Sequence, residues 1–241
     1  MNDKTRDDLS QLRISSQDVV DLIYDTLECL HKVLTENNIR YAIFGGSALG
    51  AERHGGLIPW DDDADTATLA EDEQRLANLT DTFAKQGFVL KKVPLVGYRL
   101  YHATLAKPRP VDQHPCPFVD VFVLNDSGLT YEYPNEEART SWPQSPLPYG
   151  CFDRLTDVKF GHLTLRGLSK KDVKQHLDDN YGEEWPNMAC RDWDHCCYEN
   201  LPDIHVPLKE DATKRPALHS KHQRAAKPFK SMLNQNTRLK T

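Results

Sequence analysis

The run Phe118-Val119-Asp120-Val121-Phe122-Val123-Leu124 constrains this chain more than any other stretch. Its β-branched and aromatic residues read as a buried strand, yet the third position is an aspartate. Burying a carboxylate without a partner is strongly unfavourable, so Asp120 demands a cation wherever the strand is placed. An ion pair with a Lys or Arg would satisfy it, and so would a metal ion shared with other carboxylates.

Other carboxylates are close at hand in the sequence. Residues 61–66 read Asp-Asp-Asp-Ala-Asp-Thr, directly behind Pro59-Trp60. In a strand over 61–69, Asp61, Asp63 and Asp65 share one face and Asp62 points to the other. Repulsion among three converging carboxylates raises at least one pKa, and a hard cation such as Mg²⁺ removes that penalty. If this strand lies beside 118–124, Asp120 completes a ligand set with Asp63 and Asp65. An EF-hand reading of Asp61, Asp63 and Asp65 ranks below this one, because Thr66 stands where that loop needs glycine and Asp72 where it needs glutamate. An acidic solvated turn without an ion is the remaining alternative, and the flanking Pro59, Trp60 and strand argue against it.

Upstream, Arg40–Phe44 reads as a short buried strand broken by Gly45-Gly46, and Ser47 to Arg53 has helical propensity. A glycine turn between a strand and a helix aims backbone N–H groups and the positive end of the helix dipole at a phosphate. By itself such a turn is only a turn. Followed by a carboxylate metal site, it points to metal-assisted chemistry on a nucleoside polyphosphate or its ester.

The rest of the chain supplies the frame. Ser15-Ser16-Gln17-Asp18 is a capping box ahead of Val19, Leu22, Ile23, Leu27, Leu30, Val33 and Leu34, the apolar stripe of a helix ending near Asn37-Asn38. Further helices are expected over 71–85 and 169–180, strands over 87–93 and 98–105, and a hairpin over 159–165. A Pro-rich loop covers 107–117, and residues 126–157 read as a long surface excursion. The sum is an α+β fold, a small mixed sheet flanked by helices. Residues 1–14 are expected to be a flexible N-terminus, 15–205 the catalytic domain and 206–241 a basic tail.

Composition narrows the class. Of 241 residues 39% are apolar, enough for a core. The start has no signal-peptide pattern and no run of eighteen apolar residues occurs, so a soluble, cytoplasmic protein is expected. The net charge of -6 conceals nine Lys/Arg against two Asp/Glu in residues 209–241. Such a tail can meet an anionic membrane surface or stay solvated. It lacks the aromatic interleaving used for base stacking, so nucleic acid is not an expected partner. The six cysteines form no disulfide framework pattern and are expected to be mostly free thiols. Cys190, His195, Cys196 and Cys197 could bind zinc, but adjacent cysteines without a second C-x-x-C arm are a poor pattern for it.

Taken together, FGGSALGAERHGGLIPWDDDAD (44–65) resembles the signature of the LicD family. That family includes bacterial phosphorylcholine transferases and the fukutin and fukutin-related proteins, on a nucleotidyltransferase (polymerase β-like) fold. Phe118–Leu124 resembles its Asp-bearing strand, and FGHLTLRGLSKKDVKQHLDDNYGEEW (160–185) its closing hairpin, helix and Tyr-Gly-x-x-Trp segment. The similarity spans roughly residues 19–187.

The resemblance implies transfer of a phosphorylated alcohol, phosphocholine or a polyol phosphate, from a CDP-linked donor to an acceptor hydroxyl on a glycan or lipid-linked glycan, releasing CMP. It implies phosphate binding at Gly45, Gly46 and Ser47 and Mg²⁺, or Mn²⁺, at Asp63, Asp65 and Asp120. Asp120 could also accept the attacking hydroxyl's proton. Arg53 and His54 lie in the motif and could neutralise phosphate, the alternative for Arg53 being a salt bridge to an aspartate. Trp60 is either a pocket wall or a core tryptophan, and Lys159 a basic residue ahead of the hairpin that could meet the donor. Two other functions remain open, transfer of a nucleoside monophosphate from an NTP and a binding module without turnover.

Overall fold

A computed structural model of the chain describes residues 12–143, 146–208 and 214–223. The apolar stripe behind the capping box forms α1 (Gln17–Glu36), which buries Ile23, Tyr24, Leu27, Leu30, Val33 and Leu34. Then follow β1 (Tyr41–Ile43), α2 (Gly45–His54) and β2 (Ala64–Leu69). Two short helices, α3 (Glu73–Ala77) and α4 (Thr80–Lys85), precede β3 (Phe88–Val93) and β4 (Gly97–His102). A minimal hairpin, β5 (Lys107–Pro108) and β6 (Pro115–Cys116), leads to β7 (Val119–Asp126). Beyond it come β8 (Thr130–Glu132), α5 (Glu136–Ser141), β9 (Leu147–Pro148), the hairpin β10 (Thr156–Phe160) and β11 (Leu163–Gly167), and α6 (Lys170–Tyr181). A last hairpin pairs β12 (Met188–Asp194) with β13 (Glu199–Pro207).

The main sheet runs β1-β2-β7-β4-β3, with β8 and β9 extending from the end of β7. Strands β2 and β7 are parallel and the other pairings antiparallel, which makes the sheet mixed, as expected. Alternation along β7 sends Val119, Val121 and Val123 into the core beneath α1. Phe122 and Leu124 enter a second core on the opposite face, packed with Phe44, Ala48 and Leu177. Asp120 shares that second face by the same period of two.

Several elements differ from the sequence reading, each for a local reason. The ladder of β2 begins at Ala64 because Asp61 N–H closes a turn onto Ile58 O (3.0 Å) and holds 58–61 out of the sheet. The helix expected over 71–85 is broken where Leu79 N–H bonds Leu76 O, an i→i+3 step that tightens the chain and lets Leu76 and Phe83 both reach the core. The excursion over 126–157 contains β8, α5 and β9, with Asn135 capping α5 through Ala138 N–H (2.7 Å). The β12–β13 hairpin was not expected, since Met-Ala-Cys-Arg-Asp-Trp-Asp carries no apolar alternation.

Two further expectations change. Part of the basic tail, residues 214–223, is packed against α1. Ala217 bridges Leu57, Tyr24 Oη donates to Ala217 O (2.8 Å), and Ser220 N–H donates to Asp21 (2.8 Å). Residues 224–241 and 1–11 lie outside the described residues, and Leu12 is buried. Cys116 and Cys196 are not free thiols but a disulfide joining β6 to the β12–β13 turn, while Cys29, Cys151, Cys190 and Cys197 take part in no disulfide. Among the described residues no helix is long and apolar enough to cross a membrane.

The disulfide gives a direct check. Thiol titration of the denatured chain without reductant is expected to count four thiols, and six after reduction.

Candidate active site

The parallel register of β2 and β7 sets Asp65 opposite Asp120. One carboxylate oxygen from each of Asp63, Asp65 and Asp120 lies within 4.8 Å of the others. These are the three acids singled out by sequence, and the structure brings them together at the floor of a cavity of about 800 Å³ that Gly45, Gly46, Arg53 and Trp60 also line. Glycine is required at the α2 end because the carboxylates lie so close. A Cβ on Gly45, whose φ is +46°, would lie 2.8 Å from Asp65 Oδ2, and one on Gly46 3.2 Å from Asp61 Oδ2.

The donors of that turn are already engaged. Gly46 N–H donates to Asp65 Oδ2 (3.0 Å) and Gly45 N–H to His176 Nε2 (3.2 Å). Ser47, buried beneath the turn, accepts from Asp65 N–H through its hydroxyl (2.9 Å). The positive end of α2 is thus spent on holding Asp65, in place of the open phosphate cradle expected of Gly45, Gly46 and Ser47.

Crowding governs the electrostatics. Burial, then the Asp120 charge, pushes Asp65 up to about 7. Burial and then Asp62 push Asp61 up to about 6, and burial lifts Asp63 well above the carboxylate range. Asp62 does not line the cavity, although one of its carboxylate oxygens lies within 4.8 Å of ligand atoms on Asp61, Asp63 and His195. Burial opposes its ionisation, but hydrogen bonds from His195 and from Cys196 N–H (2.9 Å) outweigh that and hold it at about 2. His195, carried in on the β12–β13 turn, places Nδ1 3.1 Å from Asp62 Oδ1 and Nε2 3.5 Å from Asp63 Oδ2. Burial pulls its pKa down, yet the charges of Asp63 and Asp62 raise it to about 10.

Of the two partners that its burial allowed for, the structure gives Asp120 the ion pair. Arg99 from β4 binds it bidentately, Nε to Oδ1 at 2.7 Å and Nη2 to Oδ2 at 2.9 Å, with the guanidinium 3.5 Å over the Phe118 ring. Lone pairs on both oxygens are therefore engaged. That geometry suits a fixed ligand and does not support the proton-accepting role expected of Asp120.

The remaining candidates divide. Arg53 Nη1 donates to the carbonyls of Trp185 (3.0 Å) and Met188 (2.6 Å), and its Nε to His54 Nε2 (2.9 Å). No carboxylate among the described residues pairs with it, so the salt-bridge alternative is not what forms, and burial lowers its pKa to about 10. His54 is buried off the cavity, and burial followed by the Arg53 charge drives it to about 3, so it is neutral. Trp60 serves both expected roles, lining the cavity and packing edge-on against His54 at 5.4 Å. Lys159 is exposed on β10, where alternation turns Phe160 inward, and it does not reach the cavity. The zinc group that Cys190, His195, Cys196 and Cys197 could have formed, already a poor pattern in the sequence, is not assembled, since Cys196 is in the disulfide and His195 faces the aspartates.

Sequence reasoning missed Arg99, His176 and the true destination of His195. The demand of Asp120 for a cation was visible, but 30 Lys and Arg could have met it. His176 on α6 stacks on Phe44 (4.6 Å between centroids), and burial lowers it to about 4, so its neutral Nε2 accepts from Gly45.

A mixed sheet with a helix N-terminus set against two acids on adjacent strands and a third just ahead of one of them defines a nucleotidyltransferase-type domain. Residues 38–166 match the family model described as LicD/FKTN/FKRP, nucleotidyltransferase domain, and the chain belongs to that family. An uncharacterized protein of Rickettsia prowazekii, RP689, is 30% identical over 182 residues, 75% of this chain and 61% of its own length. The human ribitol 5-phosphate transferase FKRP is 42% identical over 146 residues, 54% of this chain and 29% of its own. The lipopolysaccharide cholinephosphotransferase LicD of Haemophilus influenzae is 34% identical over 71 residues, 30% of this chain and 26% of its own. The chain thus spans about three fifths of the first of these relatives and under a third of the other two. Among solved structures, the lincosamide adenylyltransferase LnuA has a TM-score of 0.40 at 12% identity over 63% of this chain and 83% of that one, too slight a likeness to bear on activity.

The raised acids predict a stability cost in the absence of metal. Asp65, with an ordinary value of 3.8 and a folded value of about 7, binds a proton more readily when folded, so it weakens the fold progressively as pH rises across that window. In chelator, Asp65→Asn is expected to raise the melting temperature at pH 8 and to change it little at pH 4. Equal shifts at both pH values would remove the crowding account.

Proposed function

We propose that this chain transfers a phosphorylated alcohol from a CDP-linked donor to an acceptor hydroxyl on a glycan or lipid-linked glycan, releasing CMP. The observation that carries the reading is the gathering of Asp63, Asp65 and Asp120 on the floor of a cavity also lined by Arg53, which bonds two backbone carbonyls and pairs with no carboxylate among the described residues. Three mutually repelling carboxylates, Asp63 and Asp120 buried and Asp65 half-buried, fit a divalent cation, which neutralises them and suits oxygen donors. Mg²⁺ or Mn²⁺ bound there would supply positive charge against the donor's phosphate oxygens. The names of the ribitol 5-phosphate and choline phosphate transferases among the relatives support a phospho-alcohol as the group moved.

The chain's own residues then have distinct tasks. Arg99 fixes the Asp120 carboxylate, while Gly46 N–H and the Ser47 hydroxyl fix Asp65, so the ligands are oriented before any cation arrives. Arg53, held by two carbonyls and ion-paired with no carboxylate among the described residues, is the residue suited to a donor phosphate. Trp60 and Trp185 wall the cavity.

Incubation with labelled CDP-choline, CDP-ribitol and the four NTPs, with Mg²⁺ or Mn²⁺ and a glycan or lipopolysaccharide acceptor, tests the reading. Formation of CMP with label on the acceptor is the expected result. Pyrophosphate release with NMP transfer would instead make the chain a nucleotidyltransferase in activity as well as in fold. Asp65→Ala is expected to slow the reaction by about a hundredfold or more while the chain stays folded, and an undiminished rate would remove Asp65 from the mechanism.

A further inference from the structure

The β12–β13 turn is held against the acidic floor at several points. The Cys116–Cys196 disulfide ties it to β6, Asp62 Oδ2 accepts from Cys196 N–H (2.9 Å), and Asp62 Oδ1 lies 3.1 Å from His195 Nδ1. With Nδ1 occupied by Asp62, the imidazole can only present Nε2 to the cavity, and it does so 3.5 Å from Asp63 Oδ2. Asp63 is 5% exposed, and among the described residues His195 Nε2 is the one cationic group it pairs with. Asp61, Asp63 and His195 each offer a ligand atom within 4.8 Å of the others.

We propose that Asp61, Asp63 and His195 Nε2 form a second divalent-cation site, distinct from the Asp63–Asp65–Asp120 group but sharing Asp63 with it, that takes Mn²⁺ in preference to Mg²⁺. Ligands about 2.1 Å from one ion and at 90–110° to each other lie about 3.0–3.4 Å apart. The Nε2–Oδ2 separation of 3.5 Å needs almost no adjustment to meet that spacing. A ligating histidine commonly gives its other ring N–H to a carboxylate, which fixes the ring and its tautomer, and Asp62 stands in that position. The mixed donor set decides the ion. Mg²⁺ favours oxygen alone, whereas imidazole nitrogen suits Mn²⁺ and the later transition ions better.

This inference rests on the reading of Asp63, Asp65 and Asp120 as the first cation site, and the two can fail separately. Calorimetric titration of the metal-free chain with Mn²⁺ is expected to give two ions per chain, falling to one in His195→Gln and to one in Asp120→Asn. Mg²⁺ is expected to bind the His195-dependent site at least about tenfold more weakly than Mn²⁺. Pulsed electron paramagnetic resonance of bound Mn²⁺ should show coupling to a directly coordinated imidazole nitrogen that disappears in His195→Gln, a signature that a merely structural histidine would not give. One ion in both the wild type and His195→Gln, without nitrogen coupling, overturns the second site and leaves the first standing. No bound ion in the wild type overturns both. Circular dichroism of each variant separates lost binding from lost folding, and His195→Asn serves in its place if His195→Gln is unfolded.

Discussion

The parallel pairing of β2 with β7 is the constraint on which the molecule turns. Hydrogen bonding between these strands sets Asp65 beside Asp120 in register, and the two residues cannot separate without unzipping the centre of the sheet. Asp61 and Asp63 are drawn in from the preceding turn, so negative charge accumulates where the backbone offers no escape. Each positive element nearby answers that accumulation. Arg99 takes Asp120, the N-terminus of α2 takes Asp65, and His195 leans on Asp62 and Asp63. Like charges confined this closely weaken the fold in the absence of further cations, and that latent imbalance is what an incoming divalent ion would relieve.

Much of this was legible in the sequence because the signals were local. Alternation identified β7 and the odd aspartate within it, the same period put Asp61, Asp63 and Asp65 on the cavity side, and the apolar stripe marked α1, although its N-cap Ser16 makes no side-chain capping bond. The acidic side chains went where the period of two sends them even though β2 begins only at Ala64. Local signals failed where a partner came from far along the chain. Arg99 looks like any alternating residue of β4, and nothing in its neighbourhood marks it as the counter-ion of Asp120. His195 lies 133 residues from Asp62 and was grouped with its adjacent cysteines, while one of those cysteines reaches back 80 residues to Cys116. The phosphate cradle was misread for a related reason. A glycine turn opening a helix exposes donors in principle, and here His176 and Asp65 claim both glycine N–H groups.

Family membership and local geometry therefore inform different statements. The match over residues 38–166 covers the sheet, the acids and α2, and it stops before α6 and the β12–β13 hairpin. The elements that bring His176 and His195 to the cavity lie beyond it. Whatever distinguishes this chain from its relatives in donor or acceptor has room to reside in those later elements, which supply Trp185, Arg191 and Trp193 to the cavity wall.

The glycine pair at 45 and 46 has a consequence for divergence. Because a single added carbon at either position would press on an oxygen of Asp65 or Asp61, these four positions form one steric unit. A descendant that acquired a side chain in the turn would have to withdraw an acid from the floor in the same step. Drift at the bend and drift at the acids are therefore coupled, and a homologue that has lost one glycine is the place to look for a remodelled or abandoned centre.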